Sequence, residues 1–154
     1  MKESVHTATK PRRQVCLEEA TFLDLIRTTE MLSRPVAQLL KSEDLSSTQY
    51  NVLRILRGSP EGLACGEISN RMITHDPDIT RLLDRLEKRN LISRCRETKD
   101  RRMVMARITT EGLELLAGLD EPVLAMHRKL LGHLGRERLR ALSSLLSVCR
   151  NERD

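Results

Sequence analysis

Apolar side chains return at helical spacing along the first third of the chain, at Phe22, Leu25, Ile26, Leu32, Val36, Leu39 and Leu40, and predict an amphipathic first helix. Pro35 falls inside it. A proline there removes a hydrogen bond and crowds the turn before it, which predicts either a kink or a new turn capped by Ser33. The second helix has a well-specified start: Ser46 and Gln49 form a Ser-x-x-Gln capping box, and Leu45 and Tyr50 occupy the two positions of a hydrophobic staple. Val52, Leu53 and Leu56 give its apolar face, and the stretch from Gly58 to Gly62 stops it. A short third helix is expected over Cys65 to Met72, poorly capped by Ala64, with Ile68 and Met72 inward. A fourth is expected to be capped by Asp76, with Pro77 in the first helical position. In it Ile79, Leu82, Leu83 and Leu86 form one buried face, while Asp78, Arg81, Arg85 and Lys88 occupy the other. Asn90 suits the left-handed conformation that ends a helix.

The period then changes. Two short strands are expected over Ile92 to Thr98 and Met103 to Thr109, joined as a hairpin by Lys99, Asp100, Arg101 and Arg102. Thr109 caps a long helical region with Leu113, Leu116, Val123, His127, Leu130 and Leu134, bent at Pro122, and a last helix after Gly135 carries Leu139, Leu142, Leu145, Leu146 and Cys149. The expected fold is mainly α: a winged helix-turn-helix over residues 43–109 with a two-stranded β wing, flanked by dimerisation helices at 15–42 and 110–150, after a flexible basic arm at 1–14. The terminal helices carry more apolar surface than one small winged domain covers. A second copy of the chain is therefore the expected partner, with Leu25, Leu130, Leu139, Leu142 and Leu146 in the homodimer interface.

Composition narrows the function. Aromatic residues make up only 1% of the chain, so the core has to be built from Leu, Ile, Val, Met and Ala. No stretch approaches the roughly 20 apolar residues that cross a bilayer, and no secretory leader is visible, so no membrane association and a cytoplasmic location are expected. Cys16, Cys65, Cys95 and Cys149 are scattered without a Cys-x-x-Cys pair, and neither a metal nor another cofactor is expected. No nucleophile and base, no paired carboxylates and no phosphate-cradling glycine loop mark an enzyme. The net charge of +5 is unevenly spread: from Arg81 to Arg107 ten basic residues stand against four acidic ones. Such a concentration is what a polyanion-binding surface requires.

Three helices followed by a basic hairpin make a winged helix-turn-helix, whose last helix enters the DNA major groove. That helix must bury one side to be rigid and offer polar or cationic groups on the other, and Thr80, Arg81 and Arg85 meet the second demand. The wing residues Lys99, Asp100, Arg101 and Arg102 place three cations at its tip, suited to the negative potential of a minor groove. Asp78 puts a carboxylate in the first turn, favourable to the helix dipole and a candidate acceptor for cytosine N4.

The run from Asp78 to Ile92 resembles the recognition helix of multiple-antibiotic-resistance (MarR) regulators, and Asp100-Arg101-Arg102 followed by Val104, Ile108, Thr109 and Gly112 resembles their wing and the helix start after it. The resemblance runs from about Phe22 to Leu146. It implies that Arg102 enters the minor groove, that Asp100 orients it, and that Thr80, Arg81 and Arg85 face the major groove or its phosphates. It also implies a homodimer on a near-palindromic operator in double-stranded DNA, usually as a repressor, released by a small, often phenolic effector. Asn90 departs from the glycine usual at that helix end. Cys16 occupies a place reminiscent of a peroxide-sensing thiol in one branch of the family, although Glu18 and Glu19 oppose its activation and the accompanying tyrosines are missing. Cys65, Cys95 and Cys149 are read as packing residues, and His75 and His127 as ordinary histidines. The competing reading is a winged helix used for protein contact, its basic strip meeting an acidic partner.

Overall fold

The computed structural model describes residues 16–74, 78–96 and 104–151. The arm expected at 1–14, the cap Asp76 with Pro77, His75, and the wing tip with Lys99, Asp100, Arg101 and Arg102 lie outside the described residues.

The chain divides into two compact units between Ser33 and Arg34. The described part of the first is the opening stretch of α1 (Leu17–Lys41), which leaves Phe22, Ile26 and Met31 exposed. Thr21 and Thr29 donate their hydroxyls to the carbonyls of Leu17 and Leu25, both at 2.8 Å. Ser33 does the same to Thr29, so it is a mid-helix residue and not a cap. Of the two outcomes expected at Pro35, the new turn does not form: the helix continues through the proline to Lys41.

In the second unit Leu40, at the end of α1, is fully buried, with Val36 and Leu39 packed against the same core. The chain continues through α2 (Ser47–Arg57), β1 (Leu63–Ala64), α3 (Cys65–Arg71), α4 (Ile79–Lys88), β2 (Ile92–Arg96), β3 (Val104–Ile108), α5 (Thr110–Leu131), a 3-10 turn (Gly132–Leu134) and α6 (Gly135–Asn151). The box at the start of α2 is formed as expected. Gln49 N–H donates to Ser46 Oγ at 3.1 Å, and Ser46 N–H donates to Gln49 Oε1 at 2.9 Å. Leu53, Leu56, Ile68, Leu83, Leu86 and Leu116 are all fully enclosed. Each such side chain contributes about 1.5–3 kcal/mol, so one leucine-rich centre holds α2 to α5 around the sheet.

The sheet has three antiparallel strands in the order β1-β3-β2, one more than the expected hairpin. Ile92 pairs with Ile108 and Arg96 with Val104, while Leu63 and Ala64 pair with Ala106 and Met105. A two-residue strand is too short to show alternation, which is why β1 is invisible in the pattern. Gly62 leads into it at φ +86°, where a Cβ would lie 2.6 Å from Arg107 Cγ and 2.8 Å from the Ala106 carbonyl. Only glycine fits that approach.

The corner after α4 is equally constrained. Asn90 takes the left-handed conformation at φ 58°, as expected. Thr109 Oγ1 donates to the Asn90 carbonyl at 2.7 Å and accepts the Gly112 N–H at 3.1 Å, which caps α5. A Cβ on Gly112 would lie 2.3 Å from the Leu91 carbonyl oxygen. The Thr-x-x-Gly start of α5 therefore seats directly on the turn that ends α4.

Two of the cysteines read as packing residues are not. Cys95 shares the open face of the sheet with Ser93 and Arg107, and Cys149 is exposed on α6; only Cys65 packs against the core. The reason at Cys95 is strand parity: buried Ile92 fixes the inward face, and Cys95 falls on the opposite one.

Candidate nucleic-acid interface

The fourth helix begins at Ile79, later than its expected cap at Asp76. Asp78 is the N-cap, accepting the Arg81 N–H at 3.1 Å through Oδ1. Leu82, Leu83 and Leu86 are buried, whereas Thr80, Arg81 and Arg85 are exposed. This division is the one a groove-reading helix needs: the leucines fix its position, and the other face remains open to a partner. Arg81 Nε also lies 3.1 Å from Asp78 Oδ2, with the arginine side chain 78% exposed. Contact between such open groups is weak, and Arg81 can leave it for a phosphate at little cost.

A shallow groove of about 360 Å³ adjoins this face, lined by Ser46, Thr48, Asp78, Arg81, Leu82 and Arg85. Sequence reasoning missed Ser46 and Thr48 as site residues, because a capping box explains Ser46 without any partner. Their hydroxyls lie 2.8 Å apart at the start of α2, beside the two arginines. Backbone N–H groups at a helix start attract anions, so this corner offers cations, hydroxyls and a favourable dipole together.

The basic residues between Arg81 and Arg107 do not all serve one surface. Arg89 donates to the carbonyls of Asp44 and Glu43 at 2.7 and 3.1 Å, tying the end of α4 to the turn before α2. Arg107 Nε donates to the Glu61 carbonyl at 2.8 Å. Arg94 binds Asp84 and Glu87 of α4. Its hydrogen bonds hold the Glu87 carboxyl below the ordinary glutamate value, and the two carboxylates raise the Arg94 guanidinium above its own. The excess charge read from the sequence is thus partly consumed in holding the fold, while among the described residues Arg85 and Lys88 carry no ion pair.

Of the residues expected at a dimer interface, Leu25 and Leu142 are exposed, and Leu130, Leu139 and Leu146 are half-buried. Cys16 is exposed. Its neighbour Glu18 is held below the ordinary glutamate value, first by its own backbone N–H and then by the Cys16 thiol. No helix among the described residues is long and apolar enough to cross a membrane, and among them no three His, Cys, Asp or Glu side chains gather as metal ligands.

Comparison with known proteins gives this geometry a family. Residues 45–104, from the turn before α2 to the start of β3, match the model of the MarR family. A MarR transcription factor from Planctomyces limnophilus is 40% identical over an alignment covering 89% of this chain and 99% of that one, and its crystal structure superposes with a TM-score of 0.68. The HTH-type transcriptional regulator FarR of Neisseria gonorrhoeae is 28% identical over 125 residues, 81% of this chain and 85% of its own length. The HTH-type transcriptional repressor MdtR of Bacillus subtilis is 32% identical over 100 residues, 62% of this chain and 64% of its own length. With the family model on the winged segment and a relative matched along its whole length, the chain belongs to the MarR family of transcription regulators, DNA-binding proteins and not enzymes.

Proposed function

We propose that the protein is a repressor that binds a near-palindromic operator as a homodimer, with one α4 in each of two major-groove segments about one helical turn, roughly 10 base pairs, apart. Thr80, Arg81 and Arg85 contact bases or phosphates, Asp78 caps the helix and orients Arg81, and the wing residues Lys99, Asp100, Arg101 and Arg102 reach the adjacent minor groove. The observation that carries this reading is the opposition on α4: three leucines buried on one side, and Thr80, Arg81 and Arg85 open on the other. Homodimerisation draws support from the apolar side chains left bare on α6, among them Leu142, Leu145 and Val148. The repressor role draws support from the similarity to the repressor MdtR.

The test is a gel-shift titration with DNA flanking the protein's own coding sequence. A discrete complex that weakens steeply with salt and contains two chains supports the reading, and Arg102→Ala should weaken it while leaving the dimer intact. Equal affinity for unrelated duplexes would overturn it.

Release of the operator is assigned to a small ligand or an oxidant. A cavity of about 500 Å³ lined by Pro35, Gln38, Leu39, Ser42, Met126, Lys129 and Leu130 is of ligand size, mostly apolar with one cation, and favours the ligand. Phenolic acids added to the complex should then release the DNA equally from wild type and Cys16→Ser. Release by peroxide that disappears in Cys16→Ser would assign the signal to the thiol instead.

A further inference from the structure

Asp84 and Glu87 sit on the recognition helix, where carboxylates are a liability. They repel phosphate, and Asp84 stands three residues after Arg81 and four before Lys88, the spacings at which a helix pairs its own charges. A solvated helix would form those pairs and withdraw cations from any partner. Here it does not. Both carboxylates are turned onto Arg94 of β2, whose Nη2 lies 2.5 Å from Asp84 Oδ1 and 2.6 Å from Glu87 Oε2. Arg94 Nε donates to the same Glu87 oxygen at 2.9 Å, and the Arg94 backbone N–H donates to Glu87 Oε1 at 3.1 Å. One residue thus engages both oxygens of Glu87 and one of Asp84.

Strand parity puts Arg94 there. Residue 94 lies on the same face of β2 as buried Ile92, toward α4, and its side chain is only 22% exposed. An arginine held at that depth without carboxylates would be poorly solvated, and the two carboxylates without it would return to the helix surface. Its planar fork can serve two acceptors at once, which a lysine ammonium on a flexible stem does poorly.

We propose that Arg94 is a positioning residue for DNA recognition: it holds Asp84 and Glu87 against β2, so that the cations of α4 stay available to DNA and the wing strand stays fixed to the helix it accompanies. The inference rests on the reading of α4 as the DNA-contacting helix.

The experiment compares wild type, Arg94→Gln, Arg94→Gln/Asp84→Asn and Arg94→Lys on DNA flanking the protein's own coding sequence, each across a salt series with circular dichroism to verify the fold. Arg94→Gln should bind about tenfold more weakly, with a shallower log–log salt slope, because the carboxylates of Asp84 and Glu87, released to the helix surface, repel phosphate beside the helix cations and β2 is no longer tied to α4. Adding Asp84→Asn should restore most of the affinity and the slope, a rescue that loss of a purely structural contact would not show. Arg94→Lys should fall between wild type and Arg94→Gln. Should Arg94→Gln fail to fold, the triple variant Arg94→Gln/Asp84→Asn/Glu87→Gln carries the test, since it leaves no stranded charge; folded and binding within about threefold of wild type, it supports the proposal. A folded Arg94→Gln with unchanged affinity and slope, absent rescue by Asp84→Asn, or a folded triple variant that no longer binds would each overturn it. Wild type that shows no salt-dependent DNA binding would sink the underlying reading instead, an outcome independent of any Arg94 variant.

Discussion

Helices α4 and α6 are built on the same amphipathic principle and finish differently. α4 has ten residues and buries three leucines beneath an exposed polar face. α6 has seventeen residues, none of those from Gly135 to Arg150 buried, and leaves Leu142, Leu145 and Val148 in the open. A helix whose apolar face is already covered lacks only a charged ligand for its other face. A helix whose apolar face is bare lacks apolar cover. The contrast is the basis for proposing DNA as the partner of the first and a second copy of the chain as the partner of the second.

Substitutions that disturb the two faces should have unequal consequences, the largest beneath α4. Leu83→Ala removes a fully enclosed side chain and should cost about 2–5 kcal/mol in urea denaturation, with DNA binding lost alongside. Leu145→Ala on α6 should leave the fold of an isolated chain within about 0.5 kcal/mol of wild type, because that leucine is 65% exposed. Next comes Leu142→Asp, which places a charge on the bare face. It should weaken self-association by at least about tenfold on sizing columns while circular dichroism is unchanged. A dimer that survives dilution would reassign α6.

Arg85→Ala should lower DNA affinity about tenfold and reduce the salt slope by about one, with dimerisation untouched. A smaller effect tests the clamp on α4 through pH. Glu87 has its carboxyl held below the ordinary value by Arg94, so its contribution to stability is complete above the ordinary glutamate range and is lost as pH falls through the lowered folded value. Wild type should therefore exceed Glu87→Gln in stability at neutral pH, and the gap should close in acid below about pH 4. The smallest effect is expected between α2 and α5, where Arg57 grips Asp120 through two hydrogen bonds of 2.8 and 3.0 Å. Both side chains are partly open, so Asp120→Asn should cost no more than about 1 kcal/mol.

Much of this was legible in the chain because local rules and global packing agree. The Ser46–Gln49 box, the leucine stripe of α4, Asn90 at its end and the Thr109 cap each announce themselves within a few residues, and all four stand where the pattern puts them. The misses occur where a longer-range contact decides. β1 exists because β3 offers it partners, and nothing in two residues foretells that. The Asp-Pro signature puts the cap of α4 at Asp76, yet Asp78, two residues on, makes the capping bond. Arg89, Arg94 and Arg107 belong to the basic concentration that suggests a polyanion-binding surface, and each instead reaches a carbonyl or carboxylate supplied by another part of the fold. A charge count along the sequence cannot separate cations that face a ligand from cations that hold the scaffold.

We propose above all that the open side of α4 is complementary to duplex DNA. Fluorescence anisotropy of labelled DNA from beside the protein's own coding sequence, titrated with wild type and with Arg81→Ala/Arg85→Ala over a range of salt, tests it most directly. Wild type should bind tightly, selectively and with strong salt dependence, and the double variant should stay folded and dimeric but lose most of the affinity and part of the salt slope. Equal binding by the two proteins would contradict it.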